Sequence, residues 1–131
     1  MSEQTERNIE VIKKGYEAFA AGDVETVLSL FDDDIEWVQP GQSAISGTYH
    51  GKGELGQFFA RLAEKGATST PRRFVADDDI VVALTDDSVG DERAQNAVVC
   101  TVRDGKAVRA EVHTDTALLE RQFGKKQVAT G

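Results

Sequence analysis

Few side chains in this sequence can do acid–base, nucleophilic or metal chemistry, and their spacing narrows the choice. The two histidines, His50 and His113, lie far apart and form no metal motif. The single cysteine, Cys100, has no C-x-x-C partner and falls in the apolar run AVVCTV, so it reads as a small buried hydrophobe and not as a nucleophile. The acidic runs Asp32–Asp34 and Asp77–Asp79 have neither metal-site spacing nor a neighbouring histidine, and read as solvated turn acids. No metal and no cofactor is therefore expected. What remains is the stretch DDIEWVQPG at residues 33–41. In a strand, Ile35, Trp37 and Gln39 share one face. Trp37 is then either plain core or a pocket wall with its indole N–H available to a ligand. Gln39 is the polar group beside it. Its amide has no proton affinity near neutral pH, so it can orient a ligand or water but cannot abstract a proton. His113 could act as a base near neutral pH, but it alternates out of phase with Val112 and belongs on the other side of its strand.

The elements that must position these residues are legible from periodicity. Ile9, Ile12, Tyr16 and Phe19 recur at helical spacing, Gly22 stops that helix, and Asp23 can cap the next. Val24, Val27, Leu28 and Phe31 predict a second, shorter helix, broken by the Asp run. IEWVQ alternates as a strand and ends at Pro40-Gly41, and GQSAISGTYHG reads as a loop. Gly51 can cap a third helix, with Glu54 reaching back and Leu55, Phe58, Phe59 and Leu62 forming its apolar stripe. Four strands follow, TPRRFVA, DIVVALTDD, AQNAVVCTV and KAVRAEVHTD, the last two joined by an Asp104-Gly105 hairpin turn. Asp115 can cap a final short helix, TALLERQF, and the tail KKQVATG is expected to be loosely held.

Helices first and antiparallel hairpins last predict a single α+β domain spanning residues 1–131, with its core at about 5–123. A strongly curved antiparallel sheet wrapped around three helices would enclose a cone-shaped apolar pocket, the usual form of a small-molecule site. Tyr49 and His50, before the third helix, would lie near its mouth, either contacting a ligand or packing on the surface. Of Arg72 and Arg73, one would face solvent or a second subunit, and the other could anchor an acidic ligand group at the rim.

Composition sets outer limits. The 131 residues suit one domain with a real core, and 40 % apolar content is too high for a disordered chain. Net charge is −8, from 23 acidic and 15 scattered basic residues, which argues against nucleic acid as a partner. No apolar run reaches membrane-spanning length, and MSEQTERNIE is not a signal peptide, so a cytoplasmic protein without membrane contact is expected.

The ordered combination of AGD, DDxxW, GxYxG and VRDGK followed by DT, over roughly residues 8–120, resembles a SnoaL-like protein of the NTF2-like superfamily. That superfamily also holds ketosteroid isomerase and limonene epoxide hydrolase. The resemblance implies an α+β cone with a short C-terminal helix, an apolar pocket and a homodimer packed through the outer face of the sheet. The isomerase's general-base Asp would fall at Gln39 and its second acid near Val98. Its first-helix tyrosine would fall at Gly15, one residue before Tyr16. The epoxide hydrolase's first-strand Tyr and Asn match Trp37 and Gln39. Its middle-strand Arg and Asp fall at Thr85 and Asp87, and its last-strand acid at Val112. Gln39, Thr85, Val98 and Val112 thus stand where those relatives carry ionisable groups, and Asp87 remains as the candidate catalytic residue if it points inward. The other reading of Asp86 and Asp87 is a polar strand end.

The pocket implied by the resemblance is therefore lined by Tyr16, Trp37, Gln39, Tyr49, His50, Phe58, Thr85, Val98 and Val112. Its expected occupant is a small hydrophobic or aromatic compound, polyketide- or steroid-like. The expected activity is cofactor-free acid–base cyclisation or isomerisation. The alternative is a non-catalytic ligand-binding or dimerisation module that has lost the catalytic acids.

Overall fold

The computed structural model describes residues 2–127. Met1 and residues 128–131, which fall within the expected domain and the expected loose tail, lie outside the described residues. The chain runs α1 (Glu3–Ala20), α2 (Val24–Ser29), β1 (Phe31–Gln39), β2 (Gly47–His50), α3 (Gly51–Glu64), β3 (Thr68–Asp77), β4 (Ile80–Val89), β5 (Glu92–Arg103), β6 (Lys106–His113) and α4 (Thr116–Phe123).

Among the described residues, side-chain oxygens start three of the four helices. Ser2 accepts from Thr5 N at α1, Asp23 from Thr26 N at α2, and Asp115 from Leu118 N at α4. Each bond satisfies an N–H that the first turn would otherwise leave unpaired, typically a gain of about 1 kcal/mol. At α3 the cap is His50, one residue earlier than expected, and Glu54 Oε1 accepts the His50 backbone N–H at 3.1 Å. The β5–β6 turn places Asp104 at φ 51° and Gly105 at φ 76°, the left-handed pair that a two-residue hairpin needs.

Six strands form one curved, unclosed sheet in the order β2-β1-β6-β5-β4-β3. Neighbours are antiparallel except at one seam, where β1 runs parallel to β6. Register shifts at Phe31/Glu36, Pro71/Arg73 and Thr101/Val102 add the local twist that bends the sheet. Pro71 costs the ladder little, because β3 is an edge strand with one neighbour.

Two expectations change. Phe31 opens β1 instead of closing the second helix, so Asp32–Asp34 lie in a strand and not in a turn. GTYH, expected within a loop, forms β2, with Trp37 opposite Tyr49. The start of the tail is also tied down. Lys126 N donates to Gln42 O at 2.7 Å, and Lys125 bridges to Ser43.

The helices pack on the concave side, α1 against β3 and α3 against β1 and β2. Ile35, Leu55, Val81, Ala83 and Ala110 are fully buried there. Burial of each larger aliphatic is worth about 1.5–3 kcal/mol. The aromatic stripe of α3 meets β1 directly, with the Trp37 ring 5.6 Å from Phe58 and 5.4 Å from Phe59. No helix among the described residues is long and apolar enough to cross a membrane.

Candidate functional site

The concave face does not close completely over its helices. A cavity of about 150 Å³ remains between α1, α3, α4 and the inner residues of the sheet. Its wall is mainly apolar, and its polar groups come from separate elements that only the fold brings together.

On β4 the buried positions alternate as Val81, Ala83, Thr85 and Val89, which fixes Asp87 on the inner face while Asp86 points out to Arg72, 3.1 Å away. Asp87 therefore borders the cavity. The neighbouring strands supply its partners. Ser69, directly opposite on β3, donates its hydroxyl to Asp87 Oδ1 at 2.8 Å. From β5, Asn96 Nδ2 donates to Oδ2 at 2.6 Å. Burial raises the Asp87 pKa above the ordinary carboxylate range, the repulsion of Asp86 adds to this, and the dipoles of Thr85, Ser69 and Asn96 pull it part of the way back. Asp87 is thus held in place as a group that can take up a proton more readily than a surface aspartate.

Tyr16 reaches the same cavity from α1. Its pKa is also raised, mainly by burial, then by proximity to Cys100 and to the Asp87 charge. The phenol therefore stays protonated, and its hydroxyl has no hydrogen-bond partner among the described residues. One turn of helix carries Gly15 and Tyr16 to the cavity together, so the one-residue offset seen in the sequence does not remove the tyrosine from the site. The Cys100 thiol, in the cavity wall, is pushed up to about 12 by burial and is not a nucleophile at neutral pH.

Across the cavity, Trp37 Nε1 donates to Gln39 Oε1 at 3.1 Å, so the indole N–H is satisfied within the protein. Gln39 is only 6 % exposed and borders the cavity with Trp37, Phe58, Val98 and Val112.

Three expected pocket residues lie elsewhere. Tyr49 is on the inner face, but its ring stacks behind Phe58 at 4.7 Å and its hydroxyl donates to Ile45 O at 2.6 Å. His50 pairs opposite Glu36 on the convex face, and its Nδ1 is 3.9 Å from a Glu36 oxygen, so it cannot gate the cavity. Thr85 is completely buried behind Asp87, outside the lining. Its hydroxyl is near enough to favour the charged carboxylate, yet the pair falls short of hydrogen-bond geometry and Oγ1 is left without a partner. The arginines also stay outside. Arg72 pairs with Asp86, and Arg73, exposed, sits opposite the outward-facing Leu84. His113 is on the convex face beside Glu111, 4.0 Å away.

Ser69 and Asn96 went unnoticed in the sequence. Asn96 left a trace there, because the inner positions of AQNAVVCTV are Ala94, Asn96, Val98 and Cys100, and a lone amide interrupts an otherwise apolar face. Ser69 left none, since only the β3–β4 register sets it against Asp87. Among the described residues, no three His, Cys, Asp or Glu side chains gather as metal ligands.

A curved sheet that cups N-terminal helices over an apolar cavity, with a short C-terminal helix, has the NTF2-like α+β fold. Residues 12–110 match the profile of the SnoaL-like domain, and the chain belongs to that family. Among solved structures, Bal32a, from a soil-derived mobile gene cassette, is 25 % identical with a TM-score of 0.84, over 94 % of this chain and 100 % of that one. TerC, co-crystallised with polyporic acid, is 31 % identical with a TM-score of 0.81, over 89 % of this chain and 98 % of that one. An NTF2-like protein of unknown function from Burkholderia pseudomallei K96243 is 26 % identical with a TM-score of 0.82, over 94 % and 98 %. Comparison with curated proteins returns no match.

Proposed function

We propose that this SnoaL-like domain binds a small hydrophobic molecule in its cavity and catalyses a cofactor-free proton transfer on it, of the kind used in isomerisation or cyclisation. The observation that carries the reading is the pairing of Asp87, half-buried and held by Ser69 and Asn96, with the Tyr16 phenol on one apolar cavity. A carbon acid next to a carbonyl needs two things, a base for its proton and a donor for the oxygen that becomes negative. Asp87 supplies the first: its carboxylate accepts the proton from carbon and returns it at another position. Tyr16 supplies the second, as a neutral phenol donating to the developing oxyanion. The raised pKa of Asp87 brings its basicity closer to that needed for a useful proton transfer near neutral pH. TerC, crystallised with polyporic acid, supports a fold of this kind as a host for a small organic molecule.

The test is solvent exchange. Cyclic ketones incubated with the protein in deuterated water should gain deuterium next to the carbonyl faster than in buffer, read by proton NMR. Asp87→Asn should cut that rate at least about 100-fold while leaving ligand binding in place. Binding without any exchange, unchanged by Asp87→Asn, would point instead to a non-catalytic ligand-binding module, the reading favoured by Gln39 standing where the isomerase has its base.

The convex face supports a second, separate proposal, that of a homodimer. Arg109 bridges Glu36 and Glu111 there, leaving the sheet's broad outer surface charge-paired and ready to be covered. Sedimentation equilibrium should give twice the chain mass of 14.2 kDa, and a monomer at micromolar concentration would contradict it.

A further inference from the structure

The acid–base reading leaves several polar groups of the cavity unused, among them the unpartnered Asn96 Oδ1 and the Gln39 amide, and Gln39 limits what the occupant can be. Gln39 is 94 % removed from solvent, and its Oε1 is taken by the Trp37 indole at 3.1 Å. That bond fixes which way round the amide lies. The Nε2 end is left as the donor, it has no acceptor among the described residues, and the residue borders the cavity. Nε2 is not among the fully enclosed atoms without a partner, so it keeps accessible surface, and in a residue this buried that surface is offered to an acceptor in the cavity.

Charge and size narrow the class further. Among the described residues, no lysine, arginine or histidine lines the cavity, and the one carboxyl group there is Asp87. An anionic ligand would meet no positive partner and would be repelled by Asp87. A space of about 150 Å³ matches the size of an engineered cavity that takes up benzene, and is well below the 300 Å³ or more typical of drug-sized sites.

We infer that Gln39 is a specificity residue which selects a neutral, single-ring compound with two oxygens, one acceptor oxygen received by the Gln39 amide and the other, a hydroxyl or the carbonyl of the reacting centre, presented to Asp87 and Tyr16. The inference rests on the cavity being the ligand site, as proposed above, and narrows the polyketide- or steroid-like expectation to one ring. The geometry also gives Trp37 a reporting role. It is the only tryptophan in the chain, and its N–H is bonded to the selecting amide, so ligand entry at Gln39 perturbs its fluorescence.

Three probes of similar size separate the requirements. 4-Hydroxyacetophenone is neutral and has both a carbonyl and a hydroxyl, p-cresol lacks the carbonyl, and 4-hydroxybenzoate replaces the ketone with an anion. Titrated into the wild-type protein and followed by Trp37 fluorescence and calorimetry, 4-hydroxyacetophenone should bind about tenfold more tightly than either of the others. Gln39→Leu, which keeps the bulk but removes the donor, should erase its advantage over p-cresol without weakening p-cresol. The wild-type ranking alone keeps the inference testable if the variant fails to fold. Equal binding of the ketone and p-cresol by the wild type, or tightest binding of 4-hydroxybenzoate, would overturn the role of Gln39 while leaving the cavity as a ligand site. Failure of all three probes to bind would overturn this inference and the pocket reading together.

Discussion

The two faces of one sheet treat acidic residues in opposite ways. On the convex face, Glu111 lies beside Arg109, whose hydrogen bond and charge hold its carboxyl below the ordinary range. Glu36 and His50 extend the same cluster, and Asp86 is answered by Arg72. On the concave face, Asp87, next to Asp86 in the chain, has no cation beside it among the described residues that line the cavity, and is pushed the other way by burial. One residue step along β4 thus separates a paired surface charge from a basic carboxylate in an apolar cavity. Paired charges in open water contribute little to stability. An unpaired acid held by neutral donors costs stability and gains reactivity, the usual bargain at a functional site.

The sharpest way to break the contrast is to add an acid to each face. Val98→Asp puts a carboxylate at a 6 % exposed inner position without a partner, and should cost about 3–5 kcal/mol or prevent folding. Thr101→Asp on the outer face, opposite Arg109, should shift stability by no more than about 0.5 kcal/mol. Urea denaturation of both variants measures the difference, and similar losses would mean that the concave face is not the dry one.

A smaller effect follows from Asp87 itself. Because its folded pKa lies above its unfolded value, the folded state binds the proton more tightly. Its contribution to stability is full below the ordinary aspartate range and is lost as pH rises through the raised folded value. Asp87→Asn cannot titrate, so its stability relative to wild type should climb across that window and level off above it. Parallel urea-midpoint curves for the two proteins would show that Asp87 is not perturbed by burial.

Most of the scaffold could be read from the sequence because its signals are local. The α1 and α3 stripes, the Asp23 and Asp115 caps and the Asp104-Gly105 turn all depend on near neighbours. Misreadings arose where pairing outweighed local pattern. Phe31 continues the spacing of Val24, Val27 and Leu28, but pairing with Ala107 on β6 draws it into β1. GTYH is only four residues long, too short to alternate visibly, and becomes a strand by lying against Trp37 and Val38. The site followed the same rule. Alternation alone put Trp37 and Gln39 on one face and His113 on the other. The Asp87 cluster needed strand register, which sets Ser69 from β3 and Asn96 from β5 around one carboxylate. His50 and Tyr49 were misplaced because their apparent loop is a strand, whose alternation sends one outward and packs the other behind Phe58.

The central claim, that Asp87 is a proton-accepting carboxylate inside the cavity, is tested most directly by carbon-13 NMR titration of protein labelled at aspartate side-chain carboxyl carbons, with Asp87→Asn used to assign the resonance. The Asp87 signal should titrate above the ordinary aspartate pKa of about 3.9 and shift when a cavity ligand is added. A midpoint at or below that value, indifferent to ligand, would contradict the account.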